Sequence, residues 1–124
     1  MDNSTIIDTD EINTLLKKAI TELKREEYKK AYNLIIKAIC HNPNAPEPHN
    51  LLGIWYEFKG NDDLARKHYR IAYVLNPIYR PSCENLERVS TLFSTRKIAI
   101  NYGEIVENEA ESDPLQSTCE KNER

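Results

Sequence analysis

Apolar side chains return every three or four residues along most of this chain, and the returns fall into separate runs. Leu15, Leu16, Ala19, Ile20 and Leu23 form one stripe, and Ala31, Leu34, Ile35, Ala38 and Ile39 form a second. That spacing predicts two amphipathic helices. Asp8, with Glu11 three residues on, can form a reciprocal cap, so the first helix is expected to begin near Thr9 and end near Lys24. After a turn at Lys24-Arg25-Glu26, the second runs from about Glu27 to His41 and stops before Pro43, whose ring cannot continue a helix. Pro46 opens a third helix, where its missing amide hydrogen would be unpaired in any case, and that helix reaches Lys59. Gly60 suits the left-handed residue just past its end. Asn61 or Asp62 then caps a fourth helix to about Leu75. A fifth is expected to start at Pro81 and pass through Leu86, Val89, Leu92 and Phe93, after which the apolar signal weakens to the short piece Ile98-Ala99-Ile100.

Sliding the chain along itself by 34 residues aligns Ala19 with Gly53, Ile20 with Ile54, Ala31 with Ala65, Ala38 with Ala72, and Asn42-Pro43 with Asn76-Pro77. Small residues fall on small residues and the prolines coincide, which is the mark of a repeated helix pair. The units run over about residues 12–45 and 46–79, with a capping helix at about 81–93.

The second unit resembles the tetratricopeptide repeat family. The family's W-x2-L-G-x2-Y…A-x3-F…P pattern appears as His49-x2-Leu52-Gly53-x2-Tyr56, then Ala65-x3-Tyr69, Ala72 and Pro77, departing only at His49. The first unit matches through Ala19, Ala31-x3-Ile35, Ala38 and Pro43, with Lys18 in place of the usual leucine. The resemblance implies an all-α fold of antiparallel helix hairpins stacked as a short right-handed superhelix. It also implies a concave groove, lined by the first helix of each pair, that receives a peptide or helix of a partner. Carried over by position, that groove comprises Asn13, Leu16, Lys17, Ile20, Lys24, Glu47, Asn50, Leu51, Ile54, Glu57, Phe58, Asn85 and Arg88. The family's clamp for a C-terminal carboxylate uses lysine and asparagine at places held here by Leu16, Ile20 and Leu51, so that subtype is disfavoured. What is left is an apolar stripe, Leu16, Ile20, Leu51, Ile54 and Phe58, flanked by charge. Such a stripe marks a protein contact, or belongs in part to the core.

At 124 residues with 30% charged side chains and three glycines, the chain has the balance of one helical domain. No run approaches the roughly 18 apolar residues of a membrane helix, and the start lacks the pattern of a signal peptide, so a cytoplasmic protein is expected. Three cysteines without CxxC spacing, Cys40, Cys83 and Cys119, are expected as free thiols. Charge is uneven: residues 1–102 carry 15 bases and 13 acids, and residues 103–124 carry 2 and 7. Residues 1–8 are read as a flexible N-terminus and 94–124 as a C-terminal segment ending in a disordered acidic tail from 103.

Nothing converges as catalytic chemistry requires. His41, His49 and His68 lack metal-ligand spacing, Cys40 and His41 diverge at a helix end, and no phosphate loop occurs. No enzyme activity, metal or cofactor is expected. The basic first unit, with Lys17, Lys18, Lys24, Arg25, Lys29, Lys30 and Lys37, offers few aromatics for stacking, so a solvated face is favoured over nucleic acid. The acids from Glu104 to Glu111 could fold back over that face. The expected function is a protein-binding scaffold, either an adaptor or a partner-specific chaperone. The alternative is a homodimerising structural module, because two units and a fragment fall short of the three repeats that usually close a core.

Overall fold

The computed structural model describes residues 3–91 and 99–104, with side chains from residue 10 onward. Five α-helices occupy the first stretch: α1 (Asn3–Lys24), α2 (Tyr28–His41), α3 (Pro46–Phe58), α4 (Asp62–Leu75) and α5 (Arg80–Ser90). No strand occurs among the described residues, and the fold is all-α.

The helix limits follow the punctuation of the sequence with two corrections. α1 begins at Asn3 and not near Thr9. No glycine or proline stands between Asn3 and Asp8, and Asp and Thr reduce helix propensity only by tenths of a kcal/mol, about 0.7 at most, so the helix runs straight through the expected cap. α5 ends at Ser90, because Thr91 turns extended (φ −86, ψ 135). Leu92 and Phe93 lie outside the described residues, as does the acidic tail from residue 105.

The turns from α1 to α2 and from α3 to α4 share one geometry. Glu26 (φ 63) and Gly60 (φ 83) are both left-handed. The Glu26 and Glu27 amides donate to the carbonyls of Leu23 and Glu22 at 3.0 and 2.9 Å. Those of Gly60 and Asn61 donate to Glu57 and Tyr56 at 3.0 and 2.9 Å. The paired bonds satisfy carbonyls that a helix end leaves open, and the two turns stand 34 residues apart, the interval of the sequence repeat. Asn42 and Asn76 recur at that interval too, their Oδ1 atoms accepting from the amides of Asn44 and Ile78 at 3.0 and 3.1 Å. Asn61 caps α4 by accepting the Leu64 amide at 3.1 Å.

Small residues sit where helices press together: Ala19, Ala31, Ala38, Ala65 and Ala72 have no exposure. At Gly53 the reason is visible, since a Cβ there would lie under 3.0 Å from three ring atoms of the fully buried Tyr69. Leu23, Ile35, Leu51, Ile54 and Val89 fill the rest of a core to which all five helices contribute. Each such side chain contributes about 1.5–3 kcal/mol through burial. α1 packs on α2 and α3 on α4, while α1, α3 and α5 touch in series and present one shared surface.

Cys40 is a free, exposed thiol. Cys83 is disulfide-bonded, which corrects the expectation of three free thiols. Pairing depends on sulfurs meeting in space, and spacing along the chain does not report that. No described helix is long and apolar enough to cross a membrane.

Candidate functional site

Asn13, Leu16, Lys17, Ile20 and Lys24 recur at helical spacing and therefore share one face of α1. With Thr21, with Glu47 and Leu51 of α3, and with Tyr79, Tyr102, Gly103 and Glu104, they line a cavity of about 690 Å3. Leu16, Ile20 and Leu51 give it an apolar floor, and Lys17, Lys24 and Glu47 a charged rim. Tyr79 feels that rim: burial, then the charge of Glu47, raises its phenol pKa above the ordinary value.

One wall comes from the C-terminal segment and reaches into the stretch expected to be disordered from residue 103. Residues 99–104 lie against the helices without regular secondary structure. Ile100 and Tyr102 pack on the core. The Asn101 backbone is held in both directions by one side chain: Asn85 Nδ2 donates to its carbonyl at 2.8 Å and Asn85 Oδ1 accepts its amide at 3.0 Å. Asn50 Nδ2 donates to the same carbonyl at 3.1 Å, and Asn85 Nδ2 reaches Asn50 Oδ1 at 2.8 Å. Lys24 then pairs with Glu104 at 2.8 Å and stands 5.0 Å above the Tyr102 ring. The expectation that disorder begins at residue 103 therefore fails for Gly103 and Glu104. The ordering entropy that composition predicted as decisive is offset here by two buried asparagines whose amides match a peptide backbone.

The orientation of Asn85 is itself fixed from below. Arg88 Nη2 donates to Asn85 Oδ1 at 3.1 Å, which commits that oxygen as acceptor and turns the amide nitrogen toward Asn50 and Asn101. Arg88 also grips Glu57 with both terminal nitrogens at 2.7 Å, and Tyr69 donates to Glu57 at 2.6 Å. Burial, then the adjacent Glu57 carboxylate, raises the Tyr69 phenol pKa well above its ordinary range. Tyr69, Glu57, Arg88 and Asn85 thus form a polar line from the α3–α4 contact out to residue 101.

The positions predicted for the groove divide accordingly. Asn13, Leu16, Lys17, Ile20, Lys24, Glu47 and Leu51 line the cavity. Asn50 and Asn85 bind residue 101, while Glu57 and Arg88 pair beneath them with side chains only 9% and 5% exposed. Ile54 is not a groove residue; it has no exposure and belongs to the core. α3 is buried on nearly every side, so its apolar period marks no single outer face. Phe58 does not line the cavity either; its ring leans on Tyr28 at 5.7 Å.

The sequence also gave no sign that His49 and His68 would meet. Their rings stack at 5.6 Å with the Nδ1 atoms 3.4 Å apart, and Tyr56 stacks on His68 at 5.4 Å. Trp55 continues the column between Tyr56 and Tyr32 and donates its indole N–H to the Tyr28 carbonyl at 2.8 Å. Among the described residues no group of three or more His, Cys, Asp or Glu side chains is placed to hold a metal.

No family model, curated protein or solved structure matches the chain.

Proposed function

We infer that the chain is a tetratricopeptide-type scaffold whose α1, α3 and α5 surface binds an extended segment of a partner protein. The observation that carries this reading is the two-way bond from Asn85 to the backbone of Asn101. A side-chain amide presents a donor and an acceptor side by side, as a neighbouring strand does, and so binds a peptide backbone whatever its sequence. Three further observations support the reading. The Gly60 and Glu26 turns repeat at 34 residues, the apolar floor adjoins the bound segment, and the rim carries both charges. The stacked right-handed arrangement of helix pairs belongs to the same proposal, as do an adaptor or chaperone role and a cytoplasmic setting.

The test places a photo-crosslinking residue at Lys17 in the full chain inside cells. An adduct with another protein, strongly reduced by Leu16→Glu, is the expected result. Absence of any adduct, or one indifferent to Leu16→Glu, overturns the reading. Ile54→Glu is unsuited to this purpose because a carboxylate in the core unfolds the domain. Val74 and Ile78, 75% and 61% exposed, favour self-association as the second reading, since a second copy would cover them. A crosslinker at Val74 that yields an adduct of twice the chain's mass would support it.

A further inference from the structure

The binding reading leaves the partner's chemistry open, and the chain's own residues 100–104 narrow it. Each of the five positions is constrained by something specific. Ile100 and Tyr102 rest on the core. Asn101 is selected beyond its backbone, because its Nδ2 donates to Glu84 Oε1 at 2.8 Å while its Oδ1 accepts the Gly103 amide at 2.9 Å. An aspartate there would set a second carboxylate against Glu84 and lose the donor. Gly103 is left-handed (φ 78), and a Cβ on it would lie under 3.0 Å from Tyr79 Oη. Side chains other than glycine are therefore strained there whether or not Tyr79 gives way. Glu104 meets Lys24.

We propose that this surface is selective for an extended segment of the form apolar–Asn–aromatic–Gly–acid, and that Ile100–Glu104 is the copy the chain holds in cis, which a partner carrying the same pattern displaces. The proposal rests on the scaffold reading and names its ligand. Charge agrees with it: Lys24 faces the acid, and Glu84 faces an amide donor. Displacement is feasible because the hold on the outer end is slight. The Lys24–Glu104 side chains are 46% and 50% exposed, and such pairs contribute little. A tethered segment competes at an effective concentration on the order of mM, so the wild-type chain should bind a free copy weakly and a chain with a damaged cis copy should bind it well.

The experiment uses a fluorescent peptide of residues 97–106, titrated by anisotropy onto the full chain carrying Gly103→Ala. We expect affinity at least about tenfold tighter than for the wild-type chain, as removal of a mM competitor implies. We also expect loss of binding when the peptide itself carries Gly103→Ala, or when the chain also carries Asn85→Ala. Should the Gly103→Ala chain fold poorly, Asn101→Asp, which sets a second carboxylate against Glu84, damages the same cis copy and gives the same comparison. Equal affinity of the variant and wild-type chains overturns the proposal, as does equal binding of the two peptides. Dimers of the wild-type chain that Gly103→Ala abolishes would overturn it in favour of a second copy as the occupant. A failed peptide alongside a Lys17 adduct sensitive to Leu16→Glu would sink the motif and leave the scaffold reading standing.

Discussion

The guanidinium of Arg88 meets both carboxylate oxygens of Glu57 at 2.7 Å, across 31 residues of chain and almost without solvent. A pair of this kind is well matched only when complete, because removing either partner leaves a buried charge uncompensated. Glu57→Ala should therefore lower the unfolding free energy by roughly 3–5 kcal/mol, whereas replacing both residues with methionine should cost less, about 1–3 kcal/mol, because it leaves no buried charge and orphans only the Tyr69 hydroxyl. Urea denaturation of the single and double variants checks this, and additive losses in the two would contradict it.

The Arg88–Glu57 pair also acts on Asn85, through the bond that commits its oxygen as acceptor. The double methionine variant should accordingly keep the helices folded while loosening residues 99–104. Amide hydrogen exchange would register this as faster exchange at Asn101, whose amide bonds to Asn85 Oδ1. Unchanged protection at Asn101 would show that Asn85 needs no support from below.

Gly53→Ala should be destabilising even though alanine is the better helix former by about 1 kcal/mol. The added methyl meets the ring of Tyr69, which has no exposure and no room to withdraw. Overpacking of this kind costs about 1–3 kcal/mol, enough to lower the melting temperature by several degrees.

The opposite sign is expected at Glu26. It adopts the left-handed conformation that Gly60 adopts in the equivalent turn, and a side chain there is strained by about 1–2 kcal/mol. Its side chain is exposed, so little packing opposes the change. Glu26→Gly should raise stability by roughly 0.5–1 kcal/mol, the loss of unfolded-state restriction offsetting part of the relief. A lower melting temperature would contradict it.

Much of this architecture could be read from residue spacing because helices and their ends are local. Pro46, Gly60 and Asn61 mark limits that the structure keeps. Ala19, Ala65 and Ala72 announce close approach by lacking bulk, and each is fully buried. The cavity wall on α1 was legible for the same reason, since Asn13, Leu16, Lys17, Ile20 and Lys24 share a face by periodicity alone. Ile54 was misplaced because α3 is enclosed by its neighbours, and a helix buried all round gives no period to read. The segment 99–104 was missed because its hold comes from side chains such as Asn50 and Asn85, distant in sequence, while its own five-residue pattern is too short to show a period. Only the short apolar piece Ile98-Ala99-Ile100, with Tyr102 two residues on, hinted at it.

The stack of His49, His68 and Tyr56 makes stability depend on mildly acidic pH. Burial, followed by the charges of His49 and Lys67, lowers the His68 pKa from 6.5 to about 4, and burial lowers that of His49. One Nδ1 must accept where the other donates across their 3.4 Å contact, so both rings cannot be protonated without repulsion. Below the ordinary histidine value the unfolded chain therefore takes up protons that the folded chain refuses. Stability is full above about pH 6.5 and falls as pH drops toward 4. Carboxylates titrate at the lower end of the same window, so the informative quantity is a difference between variants. His68→Gln should lose stability at pH 7, where the stack is intact, but show a shallower decline between pH 6.5 and 5 in thermal melts. A decline as steep as that of the wild type would exclude His68 as a source of the acid sensitivity.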